Sequence, residues 1–122
     1  MLTVLKIEAE EAMAFFEKNN IPHTPGQERF MGLSSEDGLF GVGSICLEGE
    51  KVYLDCVYAG GISELEHGLA KALLNMADLS GIKTVYGKNP ELSGLYKKLR
   101  FKEENSEFTL SLEHYFTAEG HE

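Results

Sequence analysis

Apolar and polar positions recur along this chain with two different periods, and the switches between them divide it into ten elements. Residues 2–7 read as a first strand, and residues 8–19 as a helix in which Ala9, Ala12, Met13 and Phe16 return at helical spacing. Asn19-Asn20 and Pro22 stop that helix, and residues 21–27, with two prolines and a glycine, form a connecting loop. Three strands follow at 28–34, 39–47 and 51–57, with Asp37-Gly38 and Glu48-Gly49 as turn signals, so an antiparallel meander is expected. A long helix lies within 63–80, with Leu65, Leu69, Ala72, Leu73, Met76 and Leu79 as its core-facing stripe and Gly81 as its stop. Thr84-Val85-Tyr86 is a short buried-type strand. Asn89 then caps a helix, Pro90 fits its first turn, and Leu92, Leu95, Tyr96 and Leu99 share one face. Residues 101–104 and 107–112 close the pattern as a hairpin across Asn105-Ser106.

The resulting order, βαβββαβαββ, predicts an α/β (α+β) fold with a mixed, mostly antiparallel sheet and helices on both faces. The strand at 51–57, the long helix and the strand at 84–86 form a strand–helix–strand unit, which demands a parallel crossover inside that sheet. Nothing separates independent units, so residues 1–122 are expected to form a single domain, with a frayed tail at 113–122.

Composition narrows the partners. Twenty acidic residues against eleven Lys plus Arg give a formal charge of −9, which repels a phosphate backbone, so no nucleic-acid partner is expected. No apolar run approaches the roughly 20 residues of a membrane span, and Met1 leads directly into a strand, so no membrane association and a cytoplasmic location are expected. In a tight hairpin Cys46 would face Lys51 while Cys56 pairs near Phe40 or Gly41. That offset, about five residues or roughly 17 Å along the strands, predicts two reduced thiols. His23, His67, His114 and His121 show no HExxH or Cys/His ligand spacing, so no metal is expected.

The segment from Asn89 through Pro90, Leu95 and Tyr96 to Phe101 closely resembles the closing helix of the GNAT N-acetyltransferase superfamily. Gly43-Ser44-Ile45-Cys46-Leu47 looks like that family's third strand, and Gly68-Leu69-Ala70-Lys71-Ala72-Leu73-Leu74 like the start of its cofactor helix. The resemblance covers roughly residues 39–112 and lacks one of the family's two early helices.

This resemblance implies acetyl-CoA as cofactor and direct acyl transfer to the primary amine of a small-molecule or peptide acceptor. It assigns Leu54, Asp55, Cys56, Val57 and Tyr58 to a splayed strand whose backbone holds the pantetheine arm. It places the pyrophosphate against amides at the long helix's N-terminus, around His67, Gly68, Leu69 and Ala70, with Asn89 also on the cofactor side. Tyr96 takes the role of proton donor to the departing thiolate. Asp55 is the nearest candidate base, with Glu28 and Asp37 as competing acids, and Cys56 is weighed as an acyl acceptor against a small apolar filler.

The chain departs from the family pattern at Leu65, where an Arg or Gln is usual, and at Glu64 and Glu66, which flank the anion site. In the alternative reading of the same residues, Ser63 caps a helix starting at Glu64, Glu66 completes a capping box, and Tyr96 is a hydrogen-bonded core tyrosine. The corresponding alternative function is a GNAT-like module without acyl transfer, serving in cofactor binding or as a homodimer through its sheet edge.

Overall fold

The computed structural model describes residues 2–23 and 26–116. Its elements are β1 (Thr3–Ile7), α1 (Ala9–Lys18), β2 (Gln27–Ser35), β3 (Gly38–Glu48), β4 (Lys51–Tyr58), α2 (Ser63–Leu79), β5 (Thr84–Gly87), a 3-10 turn (Pro90–Leu92), α3 (Ser93–Lys98), β6 (Lys102–Glu104) and β7 (Glu107–Ser111). The seven strands form one sheet in the order β1-β2-β3-β4-β5-β7-β6. All neighbours are antiparallel except β4 and β5. The mixed sheet and the crossover through α2 are thus present as the periodicity demands.

Two apolar clusters pack against the sheet. The larger joins Ile45, Leu54, Val57 and Val85 to Leu69, Leu73 and Leu74 of α2 and to Tyr96 and Leu99. The smaller joins Phe15 and Phe16 of α1 to Ile7, Phe30 and Val42, with Cys56 and Tyr58 at its edge. Gly43 brings α2 close to the sheet, since a Cβ there would stand 2.6 Å from Leu73 Cδ1.

The helix stripes are rotated from expectation. α2 buries Leu69, Ala70, Leu73, Leu74, Met76 and Ala77, whereas Leu79 is 79% exposed. Small Ala70 and Ala77 let the helix lie close to the sheet, and its last turn lies beside β2, where Arg29 donates to Ser80 Oγ at 3.2 Å. In α1 the buried residues are Ala12, Phe15 and Phe16, and Ala9 is exposed. Gly81, at φ +88°, ends α2 as expected, with Ile82 N–H bonded back to Ala77 O at 3.0 Å.

The β3–β4 hairpin also differs in register. Glu48 pairs with Lys51 across a two-residue Gly49-Glu50 turn, so Cys46 lies opposite Tyr53 and Cys56 opposite Ser44. The cysteines are therefore nearer than expected; both are free. Between Ser44↔Cys56 and Ile45↔Leu54 the register shifts, leaving Asp55 as the extra residue of a bulge.

Residues 117–122, most of the expected tail, lie outside the described residues. Just before them, Tyr115 Oη donates to Leu99 O at 3.1 Å, and Tyr115 and Phe116 pack on the larger cluster. Among the described residues no helix is long and apolar enough to cross a membrane.

Candidate functional site

The bulge at Asp55 sits where β4 leaves β5. Only Tyr53↔Tyr86 pairs the two strands, and beyond it they diverge. The space between them is filled by side chains from the segment that follows β5. Tyr96 Oη donates to Leu54 O at 2.7 Å and accepts from Asn89 N–H at 3.3 Å. Asn89 Nδ2 donates to Asp55 O at 3.0 Å, while Asn89 Oδ1 accepts from Glu91 N–H at 3.0 Å and so caps the 3-10 turn.

Tyr96 is fully buried, its ring against Phe101 and Phe108, and Gly87 is the residue that makes room for it. A Cβ at Gly87 would stand 2.4 Å from Tyr96 Cζ. Burial pushes the phenol up to about 12, with the Asn89 N–H opposing the rise. Tyr96 thus keeps its proton at neutral pH.

Next to this opening lies a cleft of about 300 Å³ whose lining includes Pro22, His23, Asp55, Cys56, Tyr58 and Asn89. Asp55 is half-buried, and its carboxyl is raised by desolvation first and by the nearby Glu28 charge second. Cys56 is pushed up to about 12 by burial and then by Asp55 and Glu28, so its thiol is protonated and suited to filling space. Val57 and Tyr58 pair with Gly43 and Val42 of β3, and the Tyr58 ring meets Phe15 at 5.8 Å.

At the other end of the opening, the chain turns from β4 into α2 through Gly60 and Gly61, at φ +63° and +74°. These left-handed conformations favour glycine. Ile62 is the N-cap residue, without a side-chain cap, and its carbonyl accepts from Leu65 and Glu66 N–H. The Ser63 and Glu64 amides precede the first intrahelical bonds and point out of the helix end. His67, Gly68, Leu69 and Ala70 lie a turn further in, with Leu69 and Ala70 buried, so the outward amides fall earlier than expected. The capping expectation also changes, because Ser63 is the first helical residue and its Oγ accepts from Lys98 Nζ at 2.7 Å. A cation therefore stands beside a helix end that has Glu64 and Glu66 in its first turn.

Of the competing acids, Asp37 belongs to the β2–β3 turn, where its N–H bonds Ser35 Oγ at 3.2 Å. Glu28 comes together with Asp55 and with His23, which the sequence offered only as a lone histidine. The three are separated along the chain and meet because β2 and β4 flank β3.

No protein-family model matches the sequence, and no curated protein matches it significantly. Solved structures match over nearly the whole chain. A GNAT-family acetyltransferase from Staphylococcus aureus Mu50 has a TM-score of 0.68 at 12% identity, covering 92% of this chain and 99% of that one. A GNAT-family acetyltransferase from Elizabethkingia anophelis, solved with acetyl-CoA bound, has a TM-score of 0.62 at 11% identity, covering 91% and 98%. A chain of the KacTA–DNA complex has a TM-score of 0.65 at 16% identity, covering 100% of both. The chain therefore has the fold of the GNAT acetyltransferases.

Proposed function

We propose that the protein transfers an acyl group from acetyl-CoA to a primary amine at the opening between β4 and β5. The observation that carries this reading is the single bridge Tyr53↔Tyr86, beyond which β4 turns its backbone toward Tyr96 and Asn89 rather than toward a strand. When bound, acetyl-CoA supplies an activated acyl group as a thioester.

The residues present suit such a ligand. The Ser63 and Glu64 amides, following the Gly60-Gly61 turn, offer donors to an anion at the positive end of a helix dipole. Lys98, held at Ser63 Oγ, supplies the positive charge that Leu65 lacks. Backbone groups of Leu54, Asp55, Cys56, Val57 and Tyr58 border the opening, with Asn89 bracing its far side.

In this reading the cleft beside Asp55 receives the acceptor, and the Asp55 carboxylate takes the proton that an ammonium must lose before it can act as a nucleophile. Tyr96 Oη, protonated up to about pH 12, holds a proton at the floor of the opening and, on turning from Leu54 O, would pass it to the thiolate that departs as the acyl group moves to the amine. Positioning of donor and acceptor accounts for most of the acceleration. The two carboxylates that meet beside the cleft, Asp55 and Glu28, support an amine as acceptor.

Calorimetric titration with acetyl-CoA tests the first half of the reading. Saturable binding is expected, and its absence at millimolar ligand would leave the fold as a binding or dimerisation module. Tyr96→Phe tests the second half. Turnover of a responsive amine should fall at least tenfold while acetyl-CoA affinity stays within twofold, and equal activity would remove Tyr96 from the chemistry.

A further inference from the structure

The loop after α1 places His23 in an unusual setting. Its ring stacks on Phe16, with centroids 4.4 Å apart and planes 24° from parallel, and Phe30 flanks it at 6.0 Å. Held in this way, His23 Nε2 lies 2.8 Å from Glu28 Oε1, and the two side chains are only 7% and 1% exposed. Glu28 Oε2 is buried without a hydrogen-bond partner among the described residues. A carboxylate so enclosed, with one oxygen unsatisfied, is costly unless something positive completes it. Asp55 adds a second carboxylate from the β4 bulge, and one ligand-type atom from each of the three residues lies within 4.8 Å of the others. Lys88, the nearby cation, is paired instead with Glu48 and stands over the Tyr53 ring at 4.4 Å.

We infer that His23, Glu28 and Asp55 form a binding site for a divalent first-row transition-metal ion at the mouth of the cleft. One imidazole nitrogen with two carboxylate oxygens suits zinc, manganese or cobalt, whereas calcium and magnesium prefer oxygen-only shells. Tetrahedral ligands at about 2.0–2.2 Å from zinc stand about 3.4 Å apart, so the His23–Glu28 pair at 2.8 Å opens slightly while Asp55, within 4.8 Å of both, closes on them, changes within reach of side-chain rotation. The ion satisfies Glu28 Oε2 and removes the repulsion between the two carboxylates. It also ties the loop after α1 to β4. Where the proposed acyl transfer holds, a metal-bound Asp55 is withdrawn from proton acceptance, which makes the loaded state an inhibited one for an amine acceptor.

The site stands on this side-chain geometry alone and does not depend on acyl transfer, so its test reads binding. Chelator-treated full-length protein titrated with zinc chloride should take up one equivalent and melt at a higher temperature. Glu28→Gln, nearly isosteric, should weaken uptake at least tenfold, and Asp55→Asn likewise. No uptake and no thermal shift at neutral pH would overturn the inference, showing that a shared proton suffices between the carboxylates. One equivalent bound equally well by both variants would also overturn it. Cobalt substitution of the unaltered protein gives an answer even if a variant fails to fold. Visible absorption without a thiolate-to-cobalt band supports the His–carboxylate site, and such a band would assign the ion to Cys46 or Cys56 instead.

Discussion

The two edges of β4 are unlike. Toward β3 the strand is paired from Lys51 to Tyr58, interrupted only by the Asp55 bulge; toward β5 it is paired at Tyr53 alone. A strand interior to a sheet ordinarily spends its donors and acceptors on its neighbours. Here the second edge is satisfied by a phenol and an amide side chain, at Leu54 O and Asp55 O. Side-chain partners can move where a ladder cannot, and so the same edge can be closed without ligand and still be available to one.

The largest effect should come from removing the group that fills the opening. Tyr96→Ala deletes a fully buried aromatic and strands Leu54 O, and should cost about 3–5 kcal/mol in urea denaturation. A loss near zero would mean that β4 and β5 close up on their own. Gly87→Ala should cost about 1–3 kcal/mol by driving a methyl into the Tyr96 ring. Combined with Tyr96→Ala, that penalty should largely vanish, which a double-mutant cycle would read as coupling between the two positions.

The smallest effect concerns Asp55. Its folded-state pKa is raised above 3.8 by burial and then by Glu28, so the folded chain binds its proton more tightly than the unfolded chain does. Stability referable to this group is therefore greatest below pH 3.8, falls as pH rises through the raised value, and stays level above it. Asp55→Asn lacks that decline. Followed by thermal melts in chelator, the variant should gain on the parent across this window and hold the gain at neutral pH. A difference independent of pH would show that Asp55 is compensated by another partner.

The order of elements was legible because it rests on local signals. Asn105 and Ser106 do turn the last hairpin, at φ +51° and +67°, and Gly81 does end α2. Asn89 was legible as a cap and Tyr96 as an inward-facing aromatic from the spacing of one short segment, and both lie at the opening between β4 and β5. What escaped depends on distant partners. The face of α2 is set by Gly43, thirty residues from Leu73, so Ala70 and Ala77 matter more than their weak hydrophobicity suggests. The bulge lies in a run without Gly or Pro, and the misplaced cysteine register follows from it and from the Gly49-Glu50 turn. His23, in the loop after α1, carried no ligand spacing because its companions belong to two strands, β2 and β4. The one available signal was Glu28 itself, an acid two positions before Phe30 on a strand whose inward face is apolar.

The extra residue in β4 has a further consequence, one of phase. A pleated strand sends side chains alternately to its two sides, and a bulge takes its extra residue out of that count. With Asp55 present, Leu54 and Val57 join the cluster beneath α2, while Cys56 and Tyr58 face α1. Drawing residue 55 into the regular ladder would exchange them, setting a thiol and a phenol under α2 and a valine against Phe15, whereas excising it would leave each on its present face. What matters to folding at this point is therefore that residue 55 stays out of the ladder, whatever residue occupies it. Deleting residue 55 should therefore leave the core far better packed than deleting a paired neighbour such as Leu54.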